Sequence, residues 1–251
     1  MAGEINLIPD KRGRTIYEIT GLQKIMAHVF ETKWPQTPVV HVGVQINTSA
    51  ASRYRKSYGE KYSVRVSLMN VIQKGAAAAA KSYPLIAGLF DGDDTSRVIV
   101  PSPDEIAIAG PVMIGDTAIP VVIERASSKS LGEIADEMCW AVDQLQQRQL
   151  SENDAVSAFA RMFEIPNVGI SNIGMMGPVN FFTAMNITPS LSALYVSTAI
   201  DTPVADGSGG IAIAPLVNFC MAFDHRVLAA GPVAKYLGRF KELMEQPELL
   251  D

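Results

Sequence analysis

A single α/β domain built on a mixed β-sheet with flanking helices is the fold class the sequence predicts, and three observations predict it. Apolar residues fill 48% of the 251 positions and charged residues only 19%, which supports a large core and argues against disorder. Stretches of helical period alternate with β-branched stretches in the order helix, strand, helix, strands, helix, strands, helix. No internal repeat and no linker interrupts them, so the chain is expected to divide only into an N-terminal arm, 1–20, and one domain, 21–251.

The elements follow in order. The arm is polar and carries Pro9 and Gly13. Leu22, Ile25, Met26, Val29 and Phe30 keep a helical period that Pro35 and Pro38 end. Val40, Val42, Val44 and Ile46 alternate with His41, Gly43, Gln45 and Asn47, the pattern of a half-buried strand. A helix is predicted from about Val64 to Ser82, stopped by Pro84; its run of five alanines suits close packing in the interior. Ile106–Ala109 and Ala118–Ile123 read as strands. Ser130 and Glu133 form a capping box ahead of the apolar stripe Leu131, Ile134, Met138, Val142 and Leu145. Met138 and Trp140 on that helix read as core. Residues 165–180 read as loop and strand, and Ser192–Ile200 and Ile211–Phe223 as strands. A last helix is predicted to begin at Pro232, to bury Val233, Tyr236, Leu237, Phe240, Leu243 and Met244, and to end at Pro247.

Several chemistries are excluded. The net charge is −5 and no basic stripe carries interleaved aromatics, so no nucleic-acid partner is expected. No run of eighteen apolar residues spans a membrane. Cys139 and Cys220 lie outside any C-x-x-C pattern and read as reduced core thiols. Three histidines, His28, His41 and His225, lack metal-ligand spacing, and no metal is expected. No glycine-rich phosphate loop is present. Gly169-Ile-Ser171-Asn-Ile-Gly174 has one residue too many for a nucleophile elbow. Asp91-Gly-Asp-Asp94 lacks the rest of a calcium loop and reads as a solvated turn. The N-terminus resembles neither a secretory signal nor a transit peptide, so a cytoplasmic protein, or a mature mitochondrial-matrix protein in a eukaryote, is expected.

What remains is a candidate base. His225 follows an apolar strand and precedes a helix, and its imidazole can take and return a proton near neutrality. Its surroundings carry a resemblance. Asp224-His225-Arg226-Val227, followed by Pro232 and a helix ending Pro247-Glu-Leu-Leu, resembles the C-terminal signature D-H-R-V-x-D-G of the 2-oxoacid dehydrogenase acyltransferases. Ile170-Ser171-Asn172-Ile173-Gly174, with Gly177, Phe181 and Asn186 after it, resembles that family's T-I-S-N-x-G-x-x-G block. Ile119-Pro-Val-Val, Lys129-Ser-Leu-Gly-Glu-Ile-Ala and Pro84-Leu-Ile-Ala resemble further family segments in the same order along the chain.

The resemblance implies a chloramphenicol-acetyltransferase-like fold and a trimer, or a multiple such as a cubic core, with each active site between two subunits. It implies acyl transfer between a dihydrolipoyl thiol carrier and coenzyme A as the core of a 2-oxoacid dehydrogenase-like complex. His225 would be the base and Ser171 the oxyanion donor, with Phe181, Phe223 and Gly174 as candidates for contacting substrate or coenzyme A. Coenzyme A enters as a substrate. A lipoyl group would come from another domain or protein, since no lipoyl or subunit-binding domain is found in the sequence, and the dehydrogenase subunits would be further partners. The chain departs from the pattern at Ala229-Ala230, where the family has Asp-Gly or Asn-Gly, and at Gln23, where it has Arg. Those departures keep open an alternative: a catalytically impaired, acyltransferase-like assembly protein of such a complex.

Overall fold

A computed structural model describes residues 7–9, 11, 15–17, 24, 27–28, 31, 37–92, 94–114, 117–147, 152–186 and 189–250. Within the arm, β1 (Leu7–Pro9) and β2 (Thr15–Tyr17) pair antiparallel. Of the predicted first helix, Lys24, Ala27, His28 and Glu31 are described and helical; the remainder, Gln23 included, lies outside the described residues.

The central layer is a seven-stranded mixed sheet. Its long member is β11 (Ile211–Asp224), apolar except for Asn218 and Asp224 and buried from Leu216 onward save the partly covered Asn218. β3 (Val39–Asn47) pairs antiparallel with residues 216–224 of β11. On the opposite side, β9 (Ser192–Val196) pairs with residues 219–223 and β10 (Ile200–Ala205) with residues 211–216. The sheet continues through β8 (Asn167–Asn172) and β6 (Ala107–Ile114), both parallel to β9, and ends at β7 (Thr117–Ile123), which forms a hairpin with β6. A small hairpin, β4 (Leu89–Asp91) with β5 (Asp94–Ile99), turns through Gly92 at a φ of 63°. This is the acidic turn read from the sequence, and Asp91 pairs there with Arg97 at 3.0 Å.

Helices cover the sheet. α1 (Ser49–Tyr62) was not predicted, because it is polar and buries only Ala51. Its one pattern is Tyr54, Tyr58 and Tyr62, four residues apart, whose rings meet at 5.8 and 4.5 Å. α2 (Leu68–Ala80) is the alanine-rich helix, four residues shorter at its start than predicted. Ser67 caps it: its hydroxyl accepts the Asn70 N–H at 3.1 Å while Asn70 Oδ1 accepts the Ser67 N–H at 2.8 Å. The small side chains admit α5 (Ala230–Glu245) at short range; a Cβ on Gly75 would lie 3.3 Å from the Phe240 ring. All six predicted core residues of α5 are buried, with Phe240 edge-on to Phe219 at 5.1 Å. α5 begins two residues earlier than predicted.

α3 (Leu131–Gln147) starts at the predicted capping box, the Ser130 N–H donating to Glu133 at 2.7 Å and the Glu133 N–H to Ser130 at 3.2 Å. Two readings on it are corrected. Trp140 is 66% exposed and Cys139 is exposed, because both lie on the outer face of the helix while Met138 turns inward. Cys220, on β11, is the buried thiol. α4 (Glu152–Glu164) and β10 were also not predicted. No helix among the described residues is long and apolar enough to cross a membrane.

Candidate functional site

His225 stands where the longest strand stops. The Asp224 N–H donates to Leu191 O and the His225 N–H to Pro38 O, both at 2.9 Å, so the backbone is clamped between two segments. The chain then turns at once, with Val227 N–H and Leu228 N–H both donating to Asp224 O at 3.2 and 2.9 Å. The Asp224 carboxylate, fully buried, locks this turn. Its Oδ1 accepts the Arg226 backbone N–H at 2.9 Å and the Nε–H at 3.0 Å, and its Oδ2 accepts from Nη2 at 2.6 Å. That fork holds the guanidinium firmly in its charged form, above its ordinary range. The other side of Arg226 lies over the Phe90 ring, 4.9 Å from its centroid. The flanks of His225 are therefore an anchor, a role the motif alone did not reveal. The imidazole itself points outward, exposed, with the edge of Phe223 at 5.9 Å.

Beyond the turn, Leu228 is buried and Ala229 occupies the N-cap of α5, with φ −93°, ψ 155° and no side-chain cap hydrogen bond. The Gly231 N–H is the donor a cap side chain would meet, because Pro232 has none to offer. Ala229→Asp is expected to stabilise the chain by about 0.5–1 kcal/mol through that bond and the helix dipole. A raised urea midpoint with an unchanged m-value would show it; an unchanged midpoint would contradict the N-cap reading.

Ser171 lies elsewhere. It sits on β8 paired with Tyr195 of β9, and its half-buried side chain lines a cavity of about 300 Å³. The floor of that cavity is the sheet face carrying Ala109, Gly169 and Ala193; Phe159 and Phe163 of α4 and Phe182 wall it. The register gives the separation of the two candidates. Ser171 is level with Tyr195, and Tyr195 with Cys220. His225 is five residues further along and two strands across, roughly 19 Å away. One chain does not bring the base and the hydroxyl together.

The remaining candidates scatter. Phe223 is fully buried in the main core, Phe181 is 58% exposed, and neither lines the cavity. At Gly174 a Cβ would lie 2.8 Å from Ser197 O, so close backbone approach accounts for the glycine. Asn186, quoted with the same motif, is buried, with its amide donating to Ser190 O. The cavity wall from α4 was missed in the sequence, although Phe159, Met162 and Phe163 stand at the spacing of one helical face. Among the described residues no three His, Cys, Asp or Glu side chains are grouped to hold a metal ion.

Comparison with known proteins places this geometry. Residues 11–251 match the family model described as 2-oxoacid dehydrogenases acyltransferase (catalytic domain). The lipoamide acyltransferase component of the branched-chain alpha-keto acid dehydrogenase complex of Bacillus subtilis is 24% identical over 232 residues, which cover 90% of this chain and 51% of that one. The chain spans about half the length of the curated relatives it matches. Among solved structures, a dihydrolipoamide acetyltransferase from Azotobacter vinelandii, described for the role of a serine, a histidine and an asparagine in its catalytic mechanism, superposes with a TM-score of 0.79. It is 22% identical over 97% of this chain and 98% of that one. Chloramphenicol acetyltransferase superposes with a TM-score of 0.59 at 15% identity, over 90% of this chain and 99% of that one. The expected fold is thus the observed one. With a family match running from the arm to the last residue, the chain belongs to the 2-oxoacid dehydrogenase acyltransferase (catalytic domain) family.

Proposed function

We propose that the chain is the transferase core of a 2-oxoacid dehydrogenase-type complex, moving an acyl group between a dihydrolipoyl thiol and coenzyme A at sites formed between subunits. One observation carries this reading: His225 is exposed and rigidly mounted at one end of the sheet, while Ser171 lines a cavity roughly 19 Å away on the same chain. Each is half of a site, and a second copy supplies the other half. The 78% and 65% exposure of Ile211 and Ile213, on the part of β11 that β3 does not reach, supports assembly as well. A trimer, or a multiple such as a cubic core, would close every such site.

In the reaction, the His225 imidazole takes the proton of the attacking thiol, whose ordinary pKa of about 8.5 makes this an easy transfer. The thiolate adds to the thioester carbonyl. The oxyanion of the tetrahedral intermediate accepts the Ser171 O–H. Collapse breaks the original C–S bond, and the departing thiolate takes the proton back from the imidazolium. Coenzyme A is a substrate here, and the lipoyl group arrives on a carrier domain or protein.

Mixing tests this reading. Acyl transfer from acyl-CoA to free dihydrolipoamide is expected to be weak in His225→Ala alone and in Ser171→Ala alone. Assemblies reconstituted from equal amounts of both would recover about a quarter of wild-type activity, because about one interface in four receives both intact residues. Mixed assemblies as inactive as their parents, beside an active wild type, would contradict a shared site. An assembled wild type without activity would favour the second reading, an assembly protein. The observation behind that reading is Ala229: the asparagine described for the Azotobacter vinelandii enzyme stands four positions after its histidine, where this chain has an uncapped alanine.

A further inference from the structure

We propose that the cavity beside Ser171 is an acyl-chain pocket for an uncharged, apolar acyl group larger than acetyl. The inference rests on the transferase reading above and adds the substrate class. Size is the first argument. Two carbons of an acetyl group need far less than the roughly 300 Å³ of this half-open cavity, a volume at the lower end of small-molecule sites. The walls are largely apolar as well. Phe159, Met162 and Phe163 come from one face of α4, and Phe182, Met185 and Tyr195 face them.

Charge is the third argument. Among the described residues that line it, none is Lys, Arg, His, Asp or Glu. A carboxylated acyl group such as succinyl would bury its charge without a partner, which is strongly unfavourable. Of the polar side chains on the wall other than Ser171, Tyr195 donates to Met185 O at 2.6 Å, Ser192 to Ile86 O at 2.7 Å and the Asn186 amide N–H to Ser190 O, while Asn186 Oδ1 is buried with no hydrogen-bond partner among the described residues. Burial holds the Tyr195 hydroxyl neutral by pushing its pKa well above the usual range.

The floor supplies the fourth argument. Gly169 is in β8 without a left-handed φ, and a Cβ built on it would meet nothing closer than 3.8 Å. The fold does not require glycine there. Its missing side chain, with those of Ala109 and Ala193 beside it, leaves the space open. Ser171 is two residues along the same strand on the same wall, so an acyl carbonyl at the Ser171 hydroxyl places its chain over this floor.

Gly169→Val fills the floor and tests the pocket. With the assembled protein, kcat/KM for transfer to dihydrolipoamide is measured with acetyl-, isovaleryl- and succinyl-CoA, and binding of the three by calorimetry. Wild type is expected to favour isovaleryl over acetyl and over succinyl by tenfold or more, and Gly169→Val to lower the isovaleryl-to-acetyl ratio at least tenfold. Ala193→Leu replaces it should Gly169→Val not assemble. A wild type that transfers acetyl or succinyl best, or a variant that slows all three equally, overturns the pocket and leaves the transferase reading standing. Absence of any transfer sinks that reading instead. Calorimetry then decides: isovaleryl-CoA bound tenfold more tightly than acetyl-CoA by wild type but not by the variant supports the pocket, and equal binding overturns it.

Discussion

Replacing His225 with alanine is expected to lower kcat for acyl transfer about 10²–10⁴-fold, the usual loss on removing a general base, with little change in stability or assembly. The structure separates these two effects. The imidazole is exposed and its ring contact is with Phe223, whereas the turn beneath it is held by backbone groups and by Asp224. Removing the ring therefore leaves the turn intact. A further signature follows from the chemistry. Above a pH of about 8.5 the substrate thiol ionises unaided, so the defect should shrink as pH rises through that value. Steady-state kinetics from pH 6.5 to 9.5 would reveal this. A defect of constant size across the range, or a variant as unstable as it is inactive, would argue for a structural role.

The largest loss of stability from a single change near the site is expected at Asp224. Asp224→Ala takes the buried carboxylate away from the Arg226 guanidinium, removes the acceptor of its backbone N–H and hollows out the end of β11. Breaking a buried pair in this way costs about 3–5 kcal/mol. The partial exposure of Arg226, 30% of its side chain, places the expectation at the lower end, about 3 kcal/mol. Removing both members of the pair, as Asp224→Ala with Arg226→Met, takes away the charge that Asp224 balanced and should recover most of that loss; methionine can also keep a contact with Phe90. Urea unfolding of the two variants beside wild type measures the difference. A double variant no more stable than Asp224→Ala would show that the ion pair is not what Asp224 contributes.

Much of this protein is written in its sequence, and the legible parts share a physical cause. α5 and β3 cover one side of a regular element, so their period of 3.6 or 2 appears directly in the order of apolar residues, while α2, buried almost all round, shows as a run of small residues stopped by Pro84. The Ser130–Glu133 cap is local in the same way, since its partners are three residues apart. α1 was not legible because only Ala51 is buried, and α4 because its apolar face, Phe159, Met162 and Phe163, fills a cavity wall late in a mostly polar stretch. Trp140 misled for the opposite reason: a large apolar side chain is no proof of burial when it falls on the outer face of its helix.

The fold class, α/β on a mixed sheet with flanking helices, was determined by the sequence itself. So were the identities of His225 and Ser171 as candidates, because a motif is a property of neighbours in the chain. Tertiary structure alone decided how far apart they stand, what Asp224 and Arg226 do, and that a cavity opens beside Ser171. Those are long-range facts. They depend on a register that sets Ser171 level with Cys220 through Tyr195, on a turn clamped to Pro38 and Leu191, and on a helix packed against β7 that walls a cavity floored by small residues of three strands. No spacing along the chain encodes them, since each arises only when segments distant in sequence pack together.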